Sequence, residues 1–85
     1  MKEQILNVTF IVNGVDVEIE VTPNQLLKTG RNKVLKLSNN IGRPAIEWEI
    51  HSDAGQALNP NKTFAAERVG SSDRLFLNLA VGFGG

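Results

Sequence analysis

The chain has 85 residues, 41% hydrophobic and 21% charged, with formal net charge +0; one domain with a modest core fits that size, and no general attraction for nucleic acid or an anionic membrane is built in. It has no cysteine, which excludes disulfides, thiolate metal sites and a cysteine nucleophile. Met1-Lys2-Glu3-Gln4 is not followed by a signal-peptide run, and no stretch approaches the roughly 20 apolar residues of a membrane span, so a soluble, cytoplasmic protein is expected.

The first predicted element is a hairpin. Asn13-Gly14 suits a two-residue turn whose positions both need positive φ. That turn sets Val12 against Val15, Phe10 against Val17, Val8 against Ile19 and Leu6 against Val21. Asn7, Thr9, Ile11, Asp16, Glu18 and Glu20 fall on the other face. One side is covered and one is wet. Pro23 ends the second strand, because it has no N–H for a ladder. Leu26 and Leu27 either open a helix capped by Asn24 or form an apolar connector, and Thr29 is a second candidate cap. Gly30 is unfavourable inside a helix, so the predicted helix runs from Arg31 to Ser38. Val34, Leu35 and Leu37 are available to the core, while Arg31, Lys33 and Lys36 face water. With Lys28 and Arg43 these cations read as a solvated helix face rather than a nucleic-acid patch. Asn39, Asn40 and Gly42 supply the stop.

A third alternating run follows Pro44. Ile46, Trp48 and Ile50 point one way; Glu47, Glu49 and His51 point the other. Ser52-Asp53-Ala54-Gly55 is a turn, Gln56-Ala57-Leu58 a very short strand, and Asn59-Pro60-Asn61 a second turn. Thr63 to Arg68 makes one helical turn anchored by Phe64. Gly70 to Asp73 leads into the last strand, where Leu75, Leu77, Leu79 and Val81 face inward and Phe76, Asn78 and Ala80 outward. This succession predicts an α+β fold in which one helix covers a mixed sheet of four to five strands. It is the β-grasp arrangement, with the first and last strands parallel neighbours at the sheet centre. The domain is residues 1–81, and 82–85 form a Gly-Gly tail. Without a Cβ at Gly84 or Gly85 the tail is thin and can thread a narrow channel.

That layout, ending in Gly84-Gly85, resembles ubiquitin and the ubiquitin-like modifiers over essentially the whole chain. Leu58-Asn59-Pro60-Asn61-Lys62-Thr63-Phe64, followed by Leu75-Phe76-Leu77-Asn78-Leu79, looks like ubiquitin's turn, its Thr-Leu pair and its final strand. Phe10-Ile11-Val12-Asn13-Gly14, with Thr29-Gly30-Arg31 ahead of Val34-Leu35, looks more like the bacterial ubiquitin-like domains, including multi-ubiquitin-like proteins encoded beside activating and conjugating enzymes. The resemblance implies a substrate and carrier with no catalytic group of its own and no bound cofactor. An activating enzyme would adenylate the Gly85 carboxylate with ATP and magnesium. The acyl group would pass to an enzyme nucleophile, by way of a conjugating enzyme, and end on an amine of a target protein. A processing protease would act first if the natural chain continues past Gly85.

Three departures matter. Val81-Gly82-Phe83 stands where ubiquitin has basic and leucine positions, so a ubiquitin-specific activating enzyme should recognise the tail poorly. Gln56 and Ser71 stand at the places of the most used chain-forming lysines, although Lys2, Lys28, Lys33, Lys36 and Lys62 remain as acceptors. The exposed aliphatic patch is altered and would carry Ile11, His51, Phe76, Asn78 and Ala80.

The candidate partner-binding residues are therefore Phe76, Ile11, His51 and Asn78 on the sheet, and Val81 and Phe83 on the tail. Phe76 beside Ile11 and His51 would make a docking patch. Phe83, between tail glycines, has no core to join and would anchor the tail in a partner. His51 has no second His or Cys to complete a metal site. Glu47 and Glu49 share a strand face without a pocket and read as solvated, and Trp48 reads as core. Two other functions end in the same residues: a sulfur carrier, whose Gly-Gly carboxylate becomes a thiocarboxylate, and a non-covalent binding module.

Overall fold

A computed structural model describes residues 4–80 of the chain. The elements are β1 (Leu6–Val12), β2 (Val15–Val21), α1 (Leu27–Leu37), a 3-10 turn (Ala45–Glu47), β3 (Trp48–Ser52), β4 (Ala57–Leu58) and β5 (Arg74–Leu79). The five strands form one sheet in the order β2-β1-β5-β3-β4. β1 and β5 are parallel and the other three pairs antiparallel. With α1 over one face, this is a ubiquitin-like β-grasp.

The hairpin forms in the predicted register, from Val12 opposite Val15 to Leu6 opposite Val21. Asn13 and Gly14 take φ of 51° and 77°. Burial along β2 is graded, however. Val15 is 55% exposed while Ile19 and Val21 are each 4% exposed, so the edge strand β2 leaves the core at its turn end, where Val12 of β1 stays in it. Inside, Val8, Phe10 and Val12 of β1, Leu75 and Leu77 of β5, and Trp48 and Ile50 of β3 meet Leu27, Val34 and Leu35 of α1. Among the described residues fifteen apolar side chains are buried, each contributing about 1.5–3 kcal/mol relative to exposure.

The helix starts four residues before the predicted position. Neither Asn24 nor Thr29 caps it: Leu26 is the N-cap and makes no side-chain cap bond. The first orphan donors are instead met by a distant loop, with Leu27 N–H on the Lys62 carbonyl at 2.9 Å and Lys28 N–H on that of Pro60 at 3.0 Å. The same loop returns Phe64 N–H to the Gln25 carbonyl and Ala65 N–H to that of Pro23. Phe64 is fully buried, as expected, in a segment of hydrogen-bonded turns closed by Glu67 N–H on the Thr63 carbonyl. Gly30 sits inside the helix because α1 packs too closely for a side chain. A Cβ there would lie 2.9 Å from Phe64 Cζ and 3.3 Å from Phe10 Cζ. The stop matches expectation: Asn39 is left-handed at φ 61°. Asn39 N–H reaches the Lys36 carbonyl and Asn40 N–H that of Leu35, a Schellman closure.

Five side chains depart from their predicted faces, Glu47 among them. Arg31 is 6% exposed rather than solvated, and Leu37 is 61% exposed rather than in the core. The earlier start of α1 sets its buried face on Leu27, Gly30, Arg31, Val34 and Leu35. Ile46 is 74% exposed, because the 3-10 turn occupies Ala45–Glu47 and the alternation begins only at Trp48. Leu79, near the free end of β5, is 43% exposed. The expected inward face of Val81 lies outside the described residues.

Candidate functional site

The outer face of the sheet carries a single cross-strand row. Ile11 of β1 pairs with Asp16 of β2 on one side and Phe76 of β5 on the other. Phe76 pairs in turn with His51 of β3, which pairs with Ala57 of β4. Ile11, Phe76 and His51 are each half-buried, between an exposed Asp16 and an exposed Ala57. Neighbouring cross-strand side chains lie within contact range of one another, so the three expected patch residues are adjacent. Asn78 sits two residues further along β5, opposite Glu49, and is exposed.

A charged residue that was not among the candidates lies over Phe76. Arg74, two residues earlier on the same face, holds its guanidinium carbon 5.9 Å from the centre of the Phe76 ring, within cation–π range. The alternation that put Phe76 outside already put Arg74 there. On the other flank, His51 Nε2 lies 3.7 Å from Glu49 Oε1, and His51 Nδ1 is buried without a hydrogen-bond partner. Glu47 does not share this face as expected. It belongs to the 3-10 turn and bonds Arg43 at 2.9 Å.

A groove of about 260 Å³ opens where the hairpin turn meets the end of β5, and Ile11, Asn13, Phe76, Asn78 and Leu79 line it. Asn13 Nδ2 donates to Asn40 Oδ1 at 2.8 Å, tying that turn to the chain after α1. Ile11, Phe76 and Leu79 give it apolar lining and Asn13 and Asn78 amide groups. Among the described residues no group of three or more His, Cys, Asp or Glu is placed to hold a metal ion, and no helix is long and apolar enough to cross a membrane. Val81, Phe83, Gly84 and Gly85 lie outside the described residues.

The family described as "Protein of Unknown function (DUF2604)" matches residues 1–85. This chain is a DUF2604 protein. A relative from Sinorhizobium fredii (strain NBRC 101917 / NGR234), "Uncharacterized protein y4jI", is 32% identical over 80 residues, and the match covers 94% of this DUF2604 chain. The chain spans 62% of that relative's length. Among solved structures, the EccD5 ubiquitin-like domain from Mycobacterium xenopi is similar at TM-score 0.70 and 20% identity, over 91% of this chain and 96% of that one. Caldiarchaeum subterraneum ubiquitin gives TM-score 0.75 and 23% identity, over 93% and 99% of the two chains. A designed protein based on ubiquitin gives 0.78 and 17%, over 95% of each. At these identities the likeness is one of fold.

Proposed function

We propose that this DUF2604 protein is a ubiquitin-like modifier that works through Gly84-Gly85. The observation that carries the reading is that one central strand connects both parts of such a device. β5 displays Phe76 and Asn78 on the outer face between β1 and β3, and the chain continues from it as Ala80-Val81-Gly82-Phe83-Gly84-Gly85. A partner seated on Phe76, Ile11 and His51 would have the tail within reach, with Val81 and Phe83 as further contacts.

The chemistry is acyl transfer with nucleophiles supplied by partners. The Gly85 carboxylate, freed by a protease where the chain continues, attacks the α-phosphorus of magnesium-bound ATP on an activating enzyme, and pyrophosphate leaves. An enzyme nucleophile displaces AMP, a conjugating enzyme takes over the acyl group, and a target amine receives it as an isopeptide. The domain contributes binding surface and reach and no catalytic side chain, and the setting is cytoplasmic. A non-covalent binding module is the second reading, favoured by the completeness of the Ile11–Phe76–His51 row without any contribution from the tail.

The test is the intact mass of the protein purified from its native host, compared with a G84A/G85A variant. Covalent attachment to a second polypeptide through Gly85 with loss of water, abolished in the variant, is the expected result. A mass gain equal to exchange of oxygen for sulfur would replace the modifier with a sulfur carrier. An unmodified chain that still captures its partners in both forms would leave the binding module.

A further inference from the structure

The ends of four elements converge at one pole of the domain. Asn13 follows β1, Asn40 lies just after α1, Trp48 opens β3 and Leu79 closes β5. All four line a groove of about 260 Å³, together with Arg43. Asn40 and Arg43 also line a second groove of about 350 Å³, whose apolar walls are Leu35, Ile41, Pro44 and Ala45. The shared residues make the two grooves continuous. Ile41 is 67% exposed, and Leu37 and Ile46 on either side of it in the chain are exposed as well. The described residues leave this aliphatic surface uncovered.

The chain leaves β5 at these grooves. Ala80 N–H donates to the Glu47 carbonyl at 2.8 Å, one residue beyond the pairing of Leu79 with Trp48. Glu47 N–H in turn donates to the Pro44 carbonyl at 3.0 Å, and the Glu47 side chain bonds Arg43. The departing strand is therefore held one hydrogen-bonded step from Pro44 and Arg43, which line the second groove. The residues that follow Ala80 are Val81-Gly82-Phe83. Three residues span at most about 10 Å, so Phe83 is confined to this neighbourhood.

We infer that Phe83 docks on the domain's own surface, its ring in the groove walled by Leu35, Ile41, Pro44 and Ala45, with Val81 and Gly82 crossing the groove beside Leu79 and Trp48. Connectivity selects the occupant. A short tether presents the ring at an effective concentration on the order of millimolar, which a separate partner must exceed. The space suffices, since a cavity of roughly 150 Å³ accepts benzene. Docking keeps Gly84-Gly85 close to the domain, and a partner that uses them must first draw Phe83 away. The inference concerns the free chain and does not rest on the modifier reading.

The experiment is NMR of the full chain at high and low concentration, beside Phe83→Ala. NOEs from the Phe83 ring to the Ile41 methyls are expected, with a ring-current shift of those methyls. Both should be independent of concentration and lost in Phe83→Ala. Ile41→Asp puts a charge where the ring sits, and because Ile41 is exposed the fold does not depend on it. Chymotrypsin should cut after Phe83 about tenfold faster in Ile41→Asp than in the wild type, because cleavage tracks the population of the open form. Ile41 methyl shifts unmoved by Phe83→Ala would overturn the inference, as would equal cleavage rates. NOEs that fade on dilution would overturn it too, since they would put Phe83 on a second copy of the chain.

Discussion

The hairpin and the helix were built from different kinds of information. In β1 and β2 each residue's partner is fixed by a two-residue turn, and seven consecutive pairs follow from it. In α1 the first turn is held by carbonyls of Pro60 and Lys62, more than thirty positions away. The hairpin specifies itself and the helix start is specified by the rest of the fold. Breaking a long-range support of α1 should therefore cost more than breaking the turn.

The largest effect is expected at Phe64, which is fully buried and sits on Gly30. Phe64→Ala removes the ring and leaves a cavity, a loss of about 3–5 kcal/mol. Urea denaturation would read that loss, and hydrogen exchange should quicken first at the Leu27 and Lys28 amides. A loss below about 1 kcal/mol, within the range of minor substitutions, would mean α1 does not lean on this loop.

Next is Gly30→Ala. Helix propensity alone would favour alanine by about 1 kcal/mol. The added Cβ meets Phe64 Cζ at 2.9 Å and Phe10 Cζ at 3.3 Å, and overpacking of a filled core costs about 1–3 kcal/mol. Both rings are buried and cannot swing out, so we expect a net loss. A gain in thermal stability would show that the rings yield, and that Gly30 is not there for close approach.

Gly14→Ala tests the other side of the comparison. Its φ is 77° and a Cβ there would meet nothing within 4 Å, so the cost is left-handed backbone alone, about 1–2 kcal/mol. The hairpin register should survive, checked by cross-strand NOEs between Phe10 and Val17. A shift in register would contradict the view that the apolar pairs, once closed, carry the pairing.

What was legible follows the same division. The β1–β2 register and the Asn39 stop rest on local alternation and turn chemistry, whereas the adjacency of Ile11, Phe76 and His51 followed from setting the first and last strands side by side as a β-grasp requires. Gly30 misled because propensity is a weak prior beside packing: a residue poor for helices was required by Phe64, whose position no local rule supplies. Moving the helix start changed which face was buried, and so reversed Arg31 and Leu37. Ile46 was misplaced because a 3-10 turn interrupts the alternation before β3.

The smallest expected effect separates the two faces of β5. Leu75 and Leu77 are each 2% exposed on the inner face, whereas Arg74 and Phe76 meet on the outer one at 5.9 Å. An exposed cation–π contact is worth roughly 0.5–1 kcal/mol, so Arg74→Ala should lower stability by about that much and leave the melt cooperative. The ring it covers would become more accessible. If the row is a docking surface, Arg74→Ala should alter partner capture far more than it alters the denaturation midpoint, and Arg74→Lys should restore part of it. Equal, small changes in both would mean the cation only shields Phe76 from water, and that the row is the solvated back of a sheet rather than a place where another protein sits.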